Sequence, residues 1–484
     1  MTSVTPDISS PGGSSPDTSS PDTSSTATSA PGPRPADEVA RLRRSFASGL
    51  TRDLGWRLRQ LAAIERLLTE READIAAALH TDLGRSAHYA WLGDIAGTKA
   101  EAVFARRHLK RWARRRHTRV PLAMQPGRGF YQYEPLGVVL IIGPWNYPVY
   151  LTLGPLIGAI AAGNCAVVKP SEHAPATAAL LARLLPAYLD PGAVAAAEGD
   201  AAVSQELLAT DLDHVFFTGG PEIGKKVMAA ASARLIPVTL ELGGKSPVII
   251  AADADLRVAA RRIAWTKLLN SGQTCIAPDY VLADAAVRDE LVDRIKDTVA
   301  GFQDGEPAGQ PIVNLRQLDR IGRLLDGAGT VALGGGVDRE AQTIEPTIVI
   351  DPDPASPLMT EEIFGPVLPV LSVPSVDAAV DFVNERPKPL ALYLFTGSRA
   401  VREQVIASTS SGGVVVNHLA MHCLVPQLPF GGVGNSGLGA YHGEWGFQTF
   451  SHRKAVLAKP AKPDPSFLYP PYSEASKKLM RRFF

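Results

Sequence analysis

Apolar residues recur every three or four positions at Val39, Leu42 and Phe46, and again at Leu58, Leu61, Ile64, Leu67 and Leu68, with Arg and Glu between them. That period puts them on one face of a helix, so two or three amphipathic helices are expected up to about Lys110. At residues 136–142 the pattern changes to the unbroken apolar run LGVVLII, which predicts a strand covered on both faces. The run stops at Gly143-Pro144. A helix over 151–162, a turn at Gly163-Asn164 and a strand over 166–168 follow. A further unit has a helix over 177–189 and a strand over 214–218, leading into Gly219-Gly220-Pro221-Glu222-Ile223-Gly224. The helix expected after Gly224 would turn its N–H groups and positive dipole end toward an anion. Repeated strand–turn–helix units predict a parallel, doubly wound sheet of the kind that binds a nucleotide. The glycine spacing falls short of G-x-G-x-x-G, so the repetition rather than a fingerprint supports this reading.

The second half continues the alternation. Glu241 interrupts an apolar, strand-like run beginning at Val238, and a helical pattern over 258–269 precedes Asn270-Ser-Gly-Gln-Thr-Cys275. A strand over 280–282, a helix over 287–301 and a strand over 367–371 are expected next. The stretches Gly412-Gly413 and Pro429 to Gly439 are glycine-rich enough to demand close backbone approach or positive φ. A short strand is expected at 130–133, and beyond Lys459 a Pro- and Lys-rich tail reads as weakly ordered. Residues 1–35 are nearly all Ser, Pro, Thr, Asp, Gly and Ala, too polar to offset their ordering entropy, and are expected to be disordered. No internal repeat is evident.

Composition narrows the function classes. The 484 residues suffice for two or three domains. Lys+Arg and Asp+Glu both number 49, so no net field draws the chain to nucleic acid or to an anionic membrane. Eight Arg/Lys crowd residues 106–119 around Trp112, and at zero net charge they read as a solvated helix face rather than a phosphate patch. Cys165, Cys275 and Cys423 are odd in number and far apart. They fit neither a disulfide framework nor a cysteine metal site, and suit a reducing compartment. The chain starts without a secretory signal, and no apolar run reaches the roughly 18 residues of a membrane span. A soluble, cytoplasmic protein without a membrane anchor is expected.

Candidate chemistry gathers at strand ends. Asn146 follows the 136–142 strand, where open α/β sheets place a ligand crevice, although on local evidence a turn Asn bonding its own backbone is the commoner reading. Glu241 is either a carboxyl raised by burial toward general-base range or one paired with a distant cation. Cys275, beside Gly272 and small polar residues, is either an inert buried thiol or a nucleophile, and a nucleophile needs a base or positive dipole to form its thiolate.

Taken together and in order, GPWNYP, VVKPSE, FTGGPEIG, LELGGKSP, NSGQTC, EEIFGPV and PFGGVGNSG make the chain resemble the aldehyde dehydrogenase superfamily over about 36–459. The stretches IAWTKLLNSGQTCIAPDYVL, KPLALYLF and GAYHGEWGFQTFSHRKAVL most resemble its class 3 branch, which takes hydrophobic aliphatic and aromatic aldehydes. The resemblance implies an α/β aldehyde dehydrogenase-like fold. It implies a Rossmann-type NAD(P)-binding domain at 36–113 and 137–240, and a catalytic domain at 241–430. A small β oligomerisation arm would lie at 114–136 and 431–460, and a tail at 461–484. By the same resemblance Cys275 attacks the aldehyde and Asn146 with the Cys275 N–H forms an oxyanion hole. Glu241, 34 residues before the cysteine, activates the water that hydrolyses the thioester. Lys169 and Glu172 hold the adenosine ribose, Gly219 and Gly224 line the pyrophosphate turn, and Glu362 and Phe364 position the nicotinamide ribose and ring. Tyr147, Trp265 and Thr274 line the substrate funnel. Pro221 stands where the family often has Thr. The resemblance implies NAD as cofactor, with NADP possible, no metal, no nucleic-acid partner and a homodimer. A CoA-acylating enzyme and a non-catalytic nucleotide-binding protein of the same fold are the alternatives.

Overall fold

A computed structural model describes residues 34–303 and 309–483. The Ser/Pro-rich segment expected at 1–35 therefore lies outside the described residues, apart from its last two, of which Pro35 opens the first helix. The amphipathic stripe divides into more pieces than the two or three expected. Helices Pro35–Ala47, Leu54–Glu70, Glu72–Leu83 and Ala96–Trp112 are the long ones, with a short helix Ala87–Ala90 and a π-helical turn Trp91–Ile95 before the last. Local chemistry sets the breaks: Asp53 caps the second helix by accepting from Trp56 N–H, and Gly84 ends the third in the left-handed conformation. Val39, Leu42, Leu61, Ile64, Leu67 and Leu68 are all buried, so the stripe faces the core. The basic stretch is held within the chain. Arg106 pairs with Glu65, Arg111 and Arg116 both reach Glu444, and Trp112 is buried.

The first large sheet has six strands in the order Gly437–Leu438, Val238–Leu242, His214–Gly219, Val138–Ile142, Cys165–Lys169 and Val194–Ala196. All neighbours are parallel except the first pair. Every residue of Val138–Ile142 is buried, in keeping with its unbroken apolar run. Helix Tyr150–Ala162 is buried along its whole length against this sheet.

One local expectation is corrected. The helix at the glycine turn is Pro221–Ser232, so it starts before Gly224 rather than after it. Pro221 occupies its first turn, where a missing N–H costs nothing. The Gly224 N–H is committed to Gly220 O at 3.0 Å, and a Cβ on Gly224 would meet Leu242 Cδ2 at 2.7 Å. Gly224 thus lets the helix pack closely on the sheet instead of donating to an anion.

The second large sheet has seven strands in the order Thr330–Leu333, Thr347–Ile350, Val367–Val373, Tyr280–Asp284, Pro247–Ile250, Ala391–Phe395 and Gly413–Val416. A three-stranded antiparallel sheet joins Arg116–Thr118, Arg128–Pro135 and Ser451–Ala458. The strand expected at 130–133 is therefore longer, and its partner after Gly439 belongs to the same chain. The tail beyond Lys459 is also more regular than expected, with a turn of 3-10 helix at Ser466–Leu468 and helix Glu474–Phe483. Among the described residues no helix is long and apolar enough to cross a membrane.

Candidate active site

Helix Leu256–Leu268 runs into a tight turn, Leu269–Gly272, in which Asn270, Ser271 and Gly272 take φ of 52°, 50° and 73°. Left-handed backbone at two non-glycine residues costs energy and persists only where the surroundings fix it. Here the Gln273 side chain does the fixing. Its Nε2 donates to Asn270 O at 3.0 Å and Pro311 O at 3.1 Å, and its Oε1 accepts from Val313 N–H at 2.9 Å. Gly272 is obligatory, because a Cβ there would lie 2.2 Å from Gly365 O. The turn delivers Cys275, partly exposed, to the junction of two cavities.

The first cavity, of about 240 Å³, opens at the carboxyl ends of the six-stranded sheet. Asn146, Gly219, Glu241, Glu362 and Phe364 line it with Cys275. Asn146 Nδ2 donates to Gln273 O at 3.1 Å, which orients the amide and leaves its second N–H uncommitted. Glu241 lies in strand Val238–Leu242 with both carboxyl oxygens buried and without a hydrogen-bond partner. Burial alone raises its pKa well above the ordinary carboxylate value. Of the two readings open from the sequence, no cation pairs with it among the described residues. Burial also raises the Cys275 thiol, and the Glu362 and Glu241 carboxylates add to that. A hydrogen bond from the Cys275 backbone N–H favours the thiolate, but burial and the carboxylates outweigh it, so the thiol has to lose its proton to solvent before it attacks.

Glu362 is half-buried, and its carboxylate lies where a side chain on Gly243 would stand, 2.0 Å from the would-be Cβ. Its pKa is pushed up to about 8 by burial first and then by Asp279, against the Gly244 N–H, Lys245 and Arg320. Arg320 donates to Glu362 O at 2.9 Å and Ile363 O at 2.7 Å, while Lys245 donates to Leu358 O and Glu361 O at 2.8 Å each. These bonds hold the backbone that carries Glu362 and Phe364. The Phe364 ring meets Trp145 edge-on at 5.5 Å.

Lys169 and Glu172 are not brought to this cavity. Lys169 ends strand Cys165–Lys169, and its Nζ bonds Glu172 Oε2 at 2.6 Å. Burial is the largest influence and works to raise the Glu172 carboxyl, but the Lys169 hydrogen bond, a backbone N–H and the Lys169 and His173 charges together outweigh it and the pKa is lowered. Gly224 is likewise outside the cavity, for the packing reason given above.

A dinucleotide suits the cleft on grounds independent of the glycine count. The Thr218 hydroxyl is buried without a partner and lines the cavity, and nothing lies within 4 Å of a Cβ built on Gly220. An orphan donor beside open space at the ends of parallel strands fits a phosphate-bearing ligand. Among the described residues no group of three His, Cys, Asp or Glu is placed to hold a metal.

The second cavity, of about 120 Å³, is apolar, and Tyr147, Trp265 and Thr274 line it with Cys275. The Tyr147 hydroxyl meets Thr274 Oγ1 at 2.8 Å, and burial raises the phenol to about 12, so it stays a neutral wall. Leu151 lines both cavities, as Cys275 does.

Sequence reasoning missed three contributors: Gln273, Thr218 and the buried pair Arg85 and Asp94. Gln273 lay inside the NSGQTC stretch and Thr218 beside the glycine turn, so proximity to a motif was a usable signal for both. Arg85 and Asp94 carried none.

Comparison with known proteins bears on this geometry. A family model described as "Aldehyde dehydrogenase family" matches residues 39–456. Aldehyde dehydrogenase family 3 member A2 of Rattus norvegicus is 49% identical over 453 residues, covering 92% of this chain and 93% of that protein. The protein named "Aldehyde dehydrogenase, dimeric NADP-preferring" of Rattus norvegicus is 46% identical over 429 residues, covering 88% and 94% respectively. Among solved structures, the substrate-bound state of Staphylococcus aureus AldH superposes with a TM-score of 0.89 at 40% identity, covering 93% of this chain and 99% of that one.

Proposed function

The chain belongs to the aldehyde dehydrogenase family, and we propose how its residues divide the work of that chemistry. The activity is NAD(P)-dependent oxidation of an aldehyde to the carboxylic acid. One observation carries the assignment of roles: Cys275 stands where an apolar cavity meets a cleft lined by Asn146 and Glu241.

The aldehyde enters through the apolar cavity, its tail against Tyr147, Trp265 and Thr274. Cys275 Sγ, its proton lost to solvent, adds to the carbonyl carbon as the thiolate. The free Asn146 N–H and the Cys275 N–H receive the negative charge that develops on the carbonyl oxygen, a contribution of about 3 kcal/mol per donor in comparable sites. When bound, the cofactor supplies the hydride acceptor. Thr218, Gly219 and the Glu362–Phe364 segment would hold it in the cleft, with Lys169 and Glu172 at the adenosine end. The Glu241 carboxylate then takes a proton from the water that attacks the Cys275 thioester. The acid leaves and the thiol is restored.

The substrate class is a hydrophobic aliphatic or aromatic aldehyde, supported by the apolar lining around Trp265 and Tyr147. NAD is the preferred cofactor, NADP the second, on the strength of the Glu172 carboxylate. Residues 36–113 and 137–240 form the cofactor-binding part and 241–430 the catalytic part, with 114–136 and 431–460 as the oligomerisation arm. A homodimer is supported by strands Ser451–Ala458 and Gly413–Val416, which lie at the edges of their sheets. Cytoplasmic placement is supported by three unpaired cysteines.

The test is an aldehyde panel with both cofactors, run on wild type and Cys275→Ala. Reduced cofactor should form with wild type and not with the variant, while cofactor affinity stays the same. Equal rates in the two proteins would remove Cys275 from the mechanism, and sedimentation of the wild type would decide the dimer.

A further inference from the structure

One buried ion pair grips both ends of the segment that carries Asn146 and Tyr147. Arg85 is 1% exposed and Asp94 0%. Arg85 directly follows Gly84, the left-handed end of helix Glu72–Leu83, and Asp94 lies in the π-helical turn Trp91–Ile95. The guanidinium donates from Nη1 to Asp94 Oδ2 and from Nη2 to the backbone oxygen of Asn146. Asp94 Oδ1 in turn accepts from Val149 N–H and Tyr150 N–H, at 2.9 Å each. It caps helix Tyr150–Ala162, whose own cap residue, Val149, has no polar side chain. Between these two grips the guanidinium carbon stands 4.5 Å from the Tyr147 ring centroid, and Tyr147 reaches the residue before Cys275 through Thr274.

Stability alone does not account for such a pair. Desolvating two charges largely cancels their attraction, and well-packed apolar residues of the same volume often serve as well or better. What an apolar pair lacks is direction. A planar guanidinium presents two donors in a fixed fork, and a carboxylate presents two acceptors, so together they set the distance between the Asn146 carbonyl and the Val149 and Tyr150 amides.

We infer that the Arg85–Asp94 pair is the positioning device for the Asn146 amide, holding it in line with the Cys275 N–H where the carbonyl oxygen develops charge. The inference rests on Asn146 acting as an oxyanion donor, as proposed above. Arg85 and Asp94 are positioning residues: Arg85 also lines the apolar cavity beside Tyr147, but the pair acts through Asn146.

The test is a cycle of variants read by single-turnover formation of reduced cofactor. Arg85→Met/Asp94→Leu removes both charges together, so neither is left buried alone. Arg85→Lys keeps the cation beside Asp94 but loses the fork, and serves if the double variant does not fold. Either variant should slow the single-turnover step, by about 100-fold for the double variant, since a displacement of roughly 1 Å at the reacting group has that effect. Cofactor affinity should stay within about twofold of wild type, because the pair does not line the dinucleotide cleft. Asn146→Ala should itself lose about 10²–10³-fold, which leaves a measurable rate. Introduced into Asn146→Ala, the pair variants should cost no more than about a further twofold, because their effect has nothing left to act through. A full rate in the pair variants, or the same fold-loss in both backgrounds, overturns the positioning role. A full rate in Asn146→Ala alone instead overturns the oxyanion reading on which it rests.

Discussion

The side-chain amide of Asn146 donates to the backbone carbonyl of Gln273 at 3.1 Å, across 127 residues of chain. This bond ties the loop after strand Val138–Ile142 to the turn that presents Cys275. The carbonyl of Asn146 is held as well, by Asn270 Nδ2 at 3.0 Å and by Arg85. The Asn146 amide is therefore anchored from the loop that presents Cys275.

Glu241→Gln should separate the two halves of the reaction. Hydride transfer should still give a burst of reduced cofactor, followed by turnover slowed about 100-fold as the thioester accumulates. The pH profile follows from the raised pKa. Wild-type deacylation should rise with pH as Glu241 deprotonates, and the variant should lose that limb. A buried carboxyl with a raised folded pKa binds more protons folded than unfolded above its unfolded value. Folding stability therefore falls as pH rises through that window, and Glu241→Gln should be relatively more stable at the alkaline end. Stopped-flow traces and melting curves across pH check both statements, and a linear trace at wild-type rate would dismiss the role.

Burial pushes the Glu362 carboxyl up to about 8, so cofactor binding should vary with pH around that value. Below it the carboxyl is neutral. Above it the carboxylate accepts hydrogen bonds from ribose hydroxyls more strongly, so affinity for reduced cofactor should rise with pH. Fluorescence titration of the cofactor should show this dependence in wild type and a flat response in Glu362→Gln.

Glu172→Gln should shift cofactor choice toward NADP. The change removes a carboxylate from the proposed ribose end and frees Lys169 Nζ from its 2.6 Å bond. The ratio of kcat/KM for NADP to that for NAD should rise about tenfold, equivalent to roughly 1.4 kcal/mol. An unchanged ratio would place the adenosine ribose elsewhere.

Gly272→Ala should lose both stability and activity. Its φ of 73° and the Gly365 oxygen 2.2 Å from the added carbon allow no relaxed alanine. Left-handed strain alone costs about 1–3 kcal/mol, and the clash adds to it. Gly322→Ala is the control. It sits in helix Leu315–Leu325 with nothing within 4 Å of the new carbon, so it should stabilise by about 0.5–1 kcal/mol. Melting temperatures of the two variants moving the same way would contradict this.

Periodicity was the reliable guide to architecture. The run at 136–142 is too short for a buried helix and ends at Gly143-Pro144, which marks it as a strand covered on both faces, and the spacing from Leu58 to Leu68 puts those residues on one face of a helix. The start of the helix at Pro221 was less legible. Glycines on both sides of Pro221 satisfy the turn equally well, and the choice fell to Gly224, which must have no side chain where the helix crosses Leu242. The helix at Glu474–Phe483 was missed because its pattern is short and its neighbours are prolines.

The chain by itself determined the candidate groups: the Cys275 thiol, the Asn146 amide and the Glu241 carboxyl, each set at the end of a strand or in a glycine-bearing turn. That much is local, because it depends on propensity, period and turn chemistry over a few neighbours. Only the tertiary structure decided that Glu241 has no cation to pair with among the described residues, that Cys275 lies between an apolar cavity and a dinucleotide cleft, and that Arg85 and Asp94 meet at all. Burial and partnership depend on what the rest of the fold brings to a position, and residues scores apart in sequence carry no local sign of whom they will face.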